Sequence, residues 1–142
     1  MSETEAETEA EMNEVRRAVP NVAVDGEEDL AANRAFYGAL GFEEVMDLGW
    51  VMTMASPTHP TAQINFVEQG GPAPTVPDMS VEVSDVDAAY AAMLAAGADI
   101  VRDLRDEQWG VRRFFVRDPQ GKIVNVLGHA PVAGADTGRG GA

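Results

Sequence analysis

Apolar and polar positions alternate along this chain in short blocks. Val19 to Val24 is predominantly apolar and predicts a strand. Ala32, Phe36 and Leu40 then recur at four-residue spacing, which predicts one apolar face of a helix. Asp29 is a candidate cap for that helix and Gly41 its stop. Glu43 to Asp47 and Val51 to Met54 read as strands joined through Leu48-Gly49-Trp50, and Thr61 to Val67 as another. Gly70-Gly71-Pro72-Ala73-Pro74 reads as a linker.

The same order then returns. Ser80 to Val83 predicts a strand, Asp85 caps a helix to Ala96, and Gly97 follows. Asp99 to Leu104, Val111 to Arg117 and Lys122 to Leu127 complete the set. Asp29, Leu30, Ala32, Ala35 and Gly41 match Asp85, Val86, Ala88, Ala91 and Gly97 at a constant offset of 56, and Asn65 matches Asn125 at 60. The pattern is an internal duplication of a strand-helix-strand-strand-strand unit. A unit of about 50 residues hardly buries both its helix and its sheet, whereas two share the task. The expected class is α+β: two βαβββ modules forming a curved mixed sheet around a cavity, each helix covering the opposite sheet face.

Expected boundaries are a disordered acidic tail over residues 1–17 and a single domain over 18–132. Module 1 occupies about 18–69 and module 2 about 77–129, with a flexible glycine-rich tail over 133–142.

The last predicted strand raises the functional question. Ile123, Asn125 and Leu127 alternate with Val124 and Val126, so one face of a largely apolar strand carries an amide. If the helix covers the valines, Asn125 looks into the cavity. Asn65 repeats the feature in module 1.

Composition narrows the classes. The chain has 142 residues, a formal net charge of -14, one lysine against nine arginines, and no cysteine. Disulfides, thiolate ligands and cysteine nucleophiles are excluded. Residues 3 to 14 hold six of the 24 acids and no base. Such a field disfavours nucleic acid and anionic membranes as partners. With no apolar run of about 20 residues and no basic, apolar leader at the start, the expected location is cytoplasmic.

FYGALGF (Phe36 to Phe42), VEVSDVDAAY (Val81 to Tyr90) and WGVRRFFVRDPQGKIVNV (Trp109 to Val126), in paired-module order, resemble the vicinal-oxygen-chelate superfamily. That superfamily contains glyoxalase I, extradiol dioxygenases, fosfomycin-modifying enzymes and bleomycin-resistance proteins, and the resemblance spans about residues 18 to 129. It implies paired modules around a cup and, in metal-dependent members, a divalent ion. Histidine or glutamine of the opening strands and glutamate of the closing strands hold that ion. The closing positions fall here on Asn65 and Asn125, and the opening ones near Asn21 or Val22 and near Asp78. The usual ligand set is therefore missing, and a neutral amide anchors a transition ion poorly. No metal, cofactor or catalytic residue is expected. The resemblance also implies a homodimer.

The expected function is metal-free binding of a small organic molecule. The candidate ligand-binding residues are Trp50, Asn65, Trp109, Arg112, Phe114 and Asn125. Tryptophan and phenylalanine supply apolar contact, asparagine a donor and an acceptor, and arginine a two-point grip on an anionic group. Each has a plainer alternative. The tryptophans and Phe114 or Phe115 serve equally as core, and an arginine at 112 or 113 as the partner of Asp103, Asp106 or Glu107. Met46, Met52 and Met54 are either pocket wall or core filler. Arg117 is expected to pair with Asp118 in a purely structural DPQG turn, and Glu82 faces either solvent or the pocket. The rival function is a metal-dependent lyase or dioxygenase with ligands shifted to Asp78 or His129.

Overall fold

A computed structural model describes residues 13–69 and 73–129. The glutamate-rich run before Asn13, the Gly70-Gly71-Pro72 part of the linker and the glycine-rich end lie outside the described residues. The chain is α+β, built of two βαβββ modules as the internal repeat predicts. It divides into two compact units, one of residues 19–79 and the other of 13–18 with 80–129.

In module 1, β1 (Val15–Val24) leads into α1 (Glu27–Leu40), β2 (Glu43–Asp47), β3 (Val51–Ala55) and β4 (Gln63–Glu68). The strand order β2-β3-β4-β1 is mixed, because β4 runs parallel to β1 and antiparallel to β3. Val24, Leu30, Met52, Met54 and Phe66 form the core, with Tyr37 and Phe42 packed against it. Met52 and Met54 are thus core filler.

α1 departs from expectation at both its start and its rotation. It begins after Gly26, whose φ of 89° suits glycine alone, and Asp29 lies inside the first turn, its carboxylate accepting the Asp25 N–H at 2.8 Å. Three acids in that turn complement the positive end of the helix dipole in place of a side-chain cap. Gly41 ends the helix in the left-handed conformation, as predicted. The Ala32–Phe36–Leu40 stripe faces outward, with Phe36 63% and Leu40 67% exposed. Tyr37 sets this rotation. Its ring lies 5.4 Å from Phe66 and 6.0 Å from Phe42, and the neighbouring position on a helix turns about 100° away.

In module 2, β5 (Met79–Val83) leads into α2 (Val86–Ala95), β6 (Asp99–Asp106), β7 (Val111–Arg117) and β8 (Ile123–His129). The strand order is β5-β8-β7-β6. Asp85 caps α2 as predicted, accepting the Ala88 N–H at 3.0 Å. Val83, Val86, Phe114, Val116 and Val126 form the core, with Tyr90 and Met93 of α2 against it. A Cβ at Gly128 would stand 3.2 Å from both the Val83 carbonyl and the Val86 Cβ, so glycine lets the start of α2 approach β8 closely. The DPQG turn is structural: Asp118 accepts the N–H groups of Gln120 and Lys122, each at 2.9 Å. Arg117 pairs across the strands with Asp99 at 3.1 Å instead of with Asp118, because the Asp118 carboxylate serves the turn.

The first residues of β1 belong with module 2. Glu14 and Ser84 exchange hydrogen bonds at 2.8 and 2.9 Å, and Arg17 pairs with Glu82 at 2.6 Å. β1 therefore starts at Val15 instead of Val19, and residues 15–17, expected to belong to the tail, are strand. Among the described residues no helix is long and apolar enough to cross a membrane.

Candidate ligand-binding face of the second module

The β7–β8 register assigns the two sheet faces. Phe114 pairs with Val126, Phe115 with Asn125, Arg113 with Leu127 and Val111 with His129. Directly paired residues share a face. The first pair belongs to the core under α2, where the Phe114 ring meets Tyr90 at 5.0 Å between centroids. Val111, Arg113, Phe115, Asn125, Leu127 and His129 consequently occupy the face away from the helix.

Asn125 is 6% exposed. Its Nδ2 donates to Ser80 Oγ at 3.0 Å, while its Oδ1 is buried with no hydrogen-bond partner among the described residues. Strand β5 supplies Ser80 and, by alternation, Glu82 to the same face. Glu82 lies 3.6 Å from His129 as well as against Arg17, so it looks to this face and not to open solvent. His129 is the last residue of β8.

A second group lies around Phe115. Arg113, 6% exposed, donates to Glu107 Oε2 at 2.9 Å, and Arg102 reaches the same oxygen at 3.4 Å. Both guanidiniums approach the Phe115 ring, at 5.0 Å for Arg113 and 5.7 Å for Arg102, and Arg113 also lies 5.1 Å from the Trp109 ring. Arg102 Nε is buried without a partner among the described residues. Burial pulls the Arg113 guanidinium below its ordinary pKa; Glu107 opposes this, and Arg102 and Arg105 add to it.

Two of the expected site residues are placed elsewhere. Arg112 faces the helix side, where Asp87 of α2 and Asp106 hold it at 3.0 Å each and raise its pKa through those hydrogen bonds. Phe114 is fully buried core. Strand alternation exchanges them for Arg113 and Phe115. Trp109, partly buried, lies beside Arg113 as described. Trp50, also partly buried, heads β3 in module 1, where its carbonyl accepts the Glu68 N–H at 2.8 Å. Glu107 is one of the partners the sequence offers for an arginine at 112 or 113, and Arg113 takes it; nothing in composition pointed to Arg102 or Ser80, which reach this face through their strands.

Asn65 sits in the equivalent place in module 1, paired with Thr53 and Asn21 across the strands. There the amide is satisfied at both ends: Thr53 Oγ1 donates to Oδ1 at 2.6 Å, and Nδ2 donates to Asn21 Oδ1 at 2.9 Å. The opening-strand residue facing each asparagine is thus Asn21 in module 1 and Ser80 in module 2. Asp78 precedes β5 and is exposed. The divalent ion of metal-dependent relatives does not fit these donors. They are hydroxyls and amides, and the amide of Asn65 is already engaged. Among the described residues no three His, Cys, Asp or Glu side chains gather as a metal site.

Comparison with solved structures finds the same fold at low identity. A protein from Legionella pneumophila described as an NAD-dependent benzaldehyde dehydrogenase has a TM-score of 0.63 and 14% identity, over 80% of this chain and 99% of that one. Methylmalonyl-CoA epimerase from Mycobacterium tuberculosis has a TM-score of 0.58 and 20% identity, over 82% and 90% of the two chains. A glyoxalase/bleomycin resistance protein/dioxygenase superfamily member from Vibrio splendidus 12B01 has 0.55 and 16%, over 79% and 97%. No curated protein matches by sequence. A family model matches residues 26–126, most of both modules. The chain belongs to the glyoxalase/bleomycin resistance protein/dioxygenase superfamily.

Proposed function

We propose that this chain binds a small organic molecule without a metal, on the face of module 2 that carries Asn125. The observation that carries this reading is the buried, unpartnered Oδ1 of Asn125. A buried acceptor without a donor is costly, and such a group calls for a partner that the described residues do not supply. Phe115, itself 1% exposed, is its cross-strand neighbour on the same face. Trp109 flanks the same group through Arg113. Binding of this kind requires neither a nucleophile nor an ion.

The test combines ligand screening with elemental analysis. Full-length protein is purified without chelator or affinity tag and melted against a panel of metabolites and antibiotics. A ligand preferring the folded state raises Tm, by about 2.7 kcal/mol of stability at one hundred times Kd. Trp109→Ala is expected to fold and to weaken the ligand so found. A Tm unmoved by the whole panel would remove the proposal. One equivalent of tightly held transition metal per chain would replace it with metal-dependent lyase or dioxygenase chemistry.

A further inference from the structure

Arg102, Phe115 and Asn125 form one row across β6, β7 and β8: Arg102 pairs with Phe115, and Phe115 with Asn125. The two buried side-chain atoms without partners in the described structure are Arg102 Nε, a donor, and Asn125 Oδ1, an acceptor. They belong to the two residues flanking the same aromatic ring, two strand spacings apart, or roughly 10 Å between backbones.

Charge distinguishes the two ends. Arg102 and Arg113 share a single carboxylate, and both reach the same oxygen, Glu107 Oε2. That leaves one positive charge in excess in a largely buried group, where charges are ordinarily paired. A guanidinium with a free N–H is suited to a carboxylate, whereas a neutral ligand would leave the excess charge in place.

We propose that the ligand is a small organic acid whose carboxylate accepts from Arg102 Nε and whose hydroxyl or amino group donates to Asn125 Oδ1, with an apolar body beside Phe115. This rests on the binding reading above and specifies its ligand class. The carboxylate balances the second arginine, and the donor at the other end completes Asn125. The protein's strongly acidic composition would repel such a ligand, so recognition depends on this local excess of positive charge.

The test uses matched acid and amide pairs with full-length protein: benzoate and benzamide, 4-hydroxybenzoate and its amide, 4-hydroxycinnamate and its amide. Calorimetric titration is expected to show the hydroxylated acids binding at least about tenfold tighter than their amides, the range of a hydrogen bond to a charged group. The unhydroxylated acid should be weaker than its hydroxylated counterpart. Arg102→Gln should erase the preference for acid over amide, and Asn125→Asp should weaken the acids while leaving an intact melting transition. Equal affinity for acids and amides would overturn the ligand class and leave small-molecule binding standing. Absence of binding by every pair would overturn it too, and the wider panel then decides the binding reading separately. If Arg102→Gln melts early, Arg102→Met takes its place, a long side chain with neither the charge nor the donor, and must likewise lose the acid preference.

Discussion

Ser80 and Asn125, 45 residues apart in sequence, meet at 3.0 Å on the face of module 2 away from its helix, and the bond uses only the NH2 end of the amide. The carbonyl end remains buried and unanswered. One residue is thereby anchored and unsatisfied together, an arrangement that fixes a side chain without occupying its acceptor.

Asn125→Leu should therefore separate stability from binding. Removing an unsatisfied buried acceptor in favour of an apolar group of similar size is expected to leave urea stability unchanged or to raise it by about 1 kcal/mol, while ligand binding is lost. A loss of several kcal/mol in the unfolding curve would show Asn125 to be structural.

Asn65→Leu is expected to behave oppositely. Both ends of that amide are bonded, so its loss strands Thr53 and Asn21 side-chain groups and should cost about 1–3 kcal/mol. Chemical denaturation of the two leucine variants side by side checks this, and equal effects would contradict the division of roles between modules.

Glu107→Gln should be far more damaging than Asp106→Asn. Among the described residues Glu107 is the one carboxylate shared by Arg102 and Arg113, and leaving two largely buried guanidiniums without it is expected to cost about 3 kcal/mol or more. Asp106 pairs with a better exposed Arg112 that also holds Asp87, so its loss should stay within about 1 kcal/mol. Thermal melts at constant ionic strength decide between these outcomes.

The two helix starts offer a third contrast. Asp85→Ala removes a real cap and should lower stability by about 1 kcal/mol. Asp29→Ala, inside the first turn of α1, loses an exposed bond to the Asp25 N–H and part of the dipole complement and should cost less, about 0.5 kcal/mol. Equal losses on denaturation would indicate that Asp29 does more than its contacts show.

Rotation of α1 is checked through Tyr37. Tyr37→Ala should destabilise by about 3 kcal/mol as a ring packed on Phe66 and Phe42 is deleted, whereas Phe36→Ser should change stability by no more than about 0.5 kcal/mol in a monomer. A large loss from Phe36→Ser would place that ring in a subunit contact. Sedimentation of wild type and variant would then test the homodimer that the family resemblance implies.

Strand and helix positions, their duplication and the two asparagines were legible in the chain, because periodicity and turn chemistry are local properties. The constant spacing of Asp29 with Asp85 and Gly41 with Gly97 carried the fold class even though only Asp85 proved to be a cap. Choice between neighbours was not legible. Arg112 or Arg113, Phe114 or Phe115, and Phe36 or Tyr37 are adjacent pairs whose members point in different directions, by alternation on the strand and by about 100° on the helix, and neither period says which is inside. The register of Phe115 on Asn125 and the packing of Tyr37 on Phe66 made those choices. Arg102 and Ser80 came to the site only through their strands, whereas Glu107 was already a candidate partner for one of the two arginines. Sequence determined where the chain turns and which positions alternate; tertiary packing decided which face each residue joined, since that depends on contacts between segments distant along the chain.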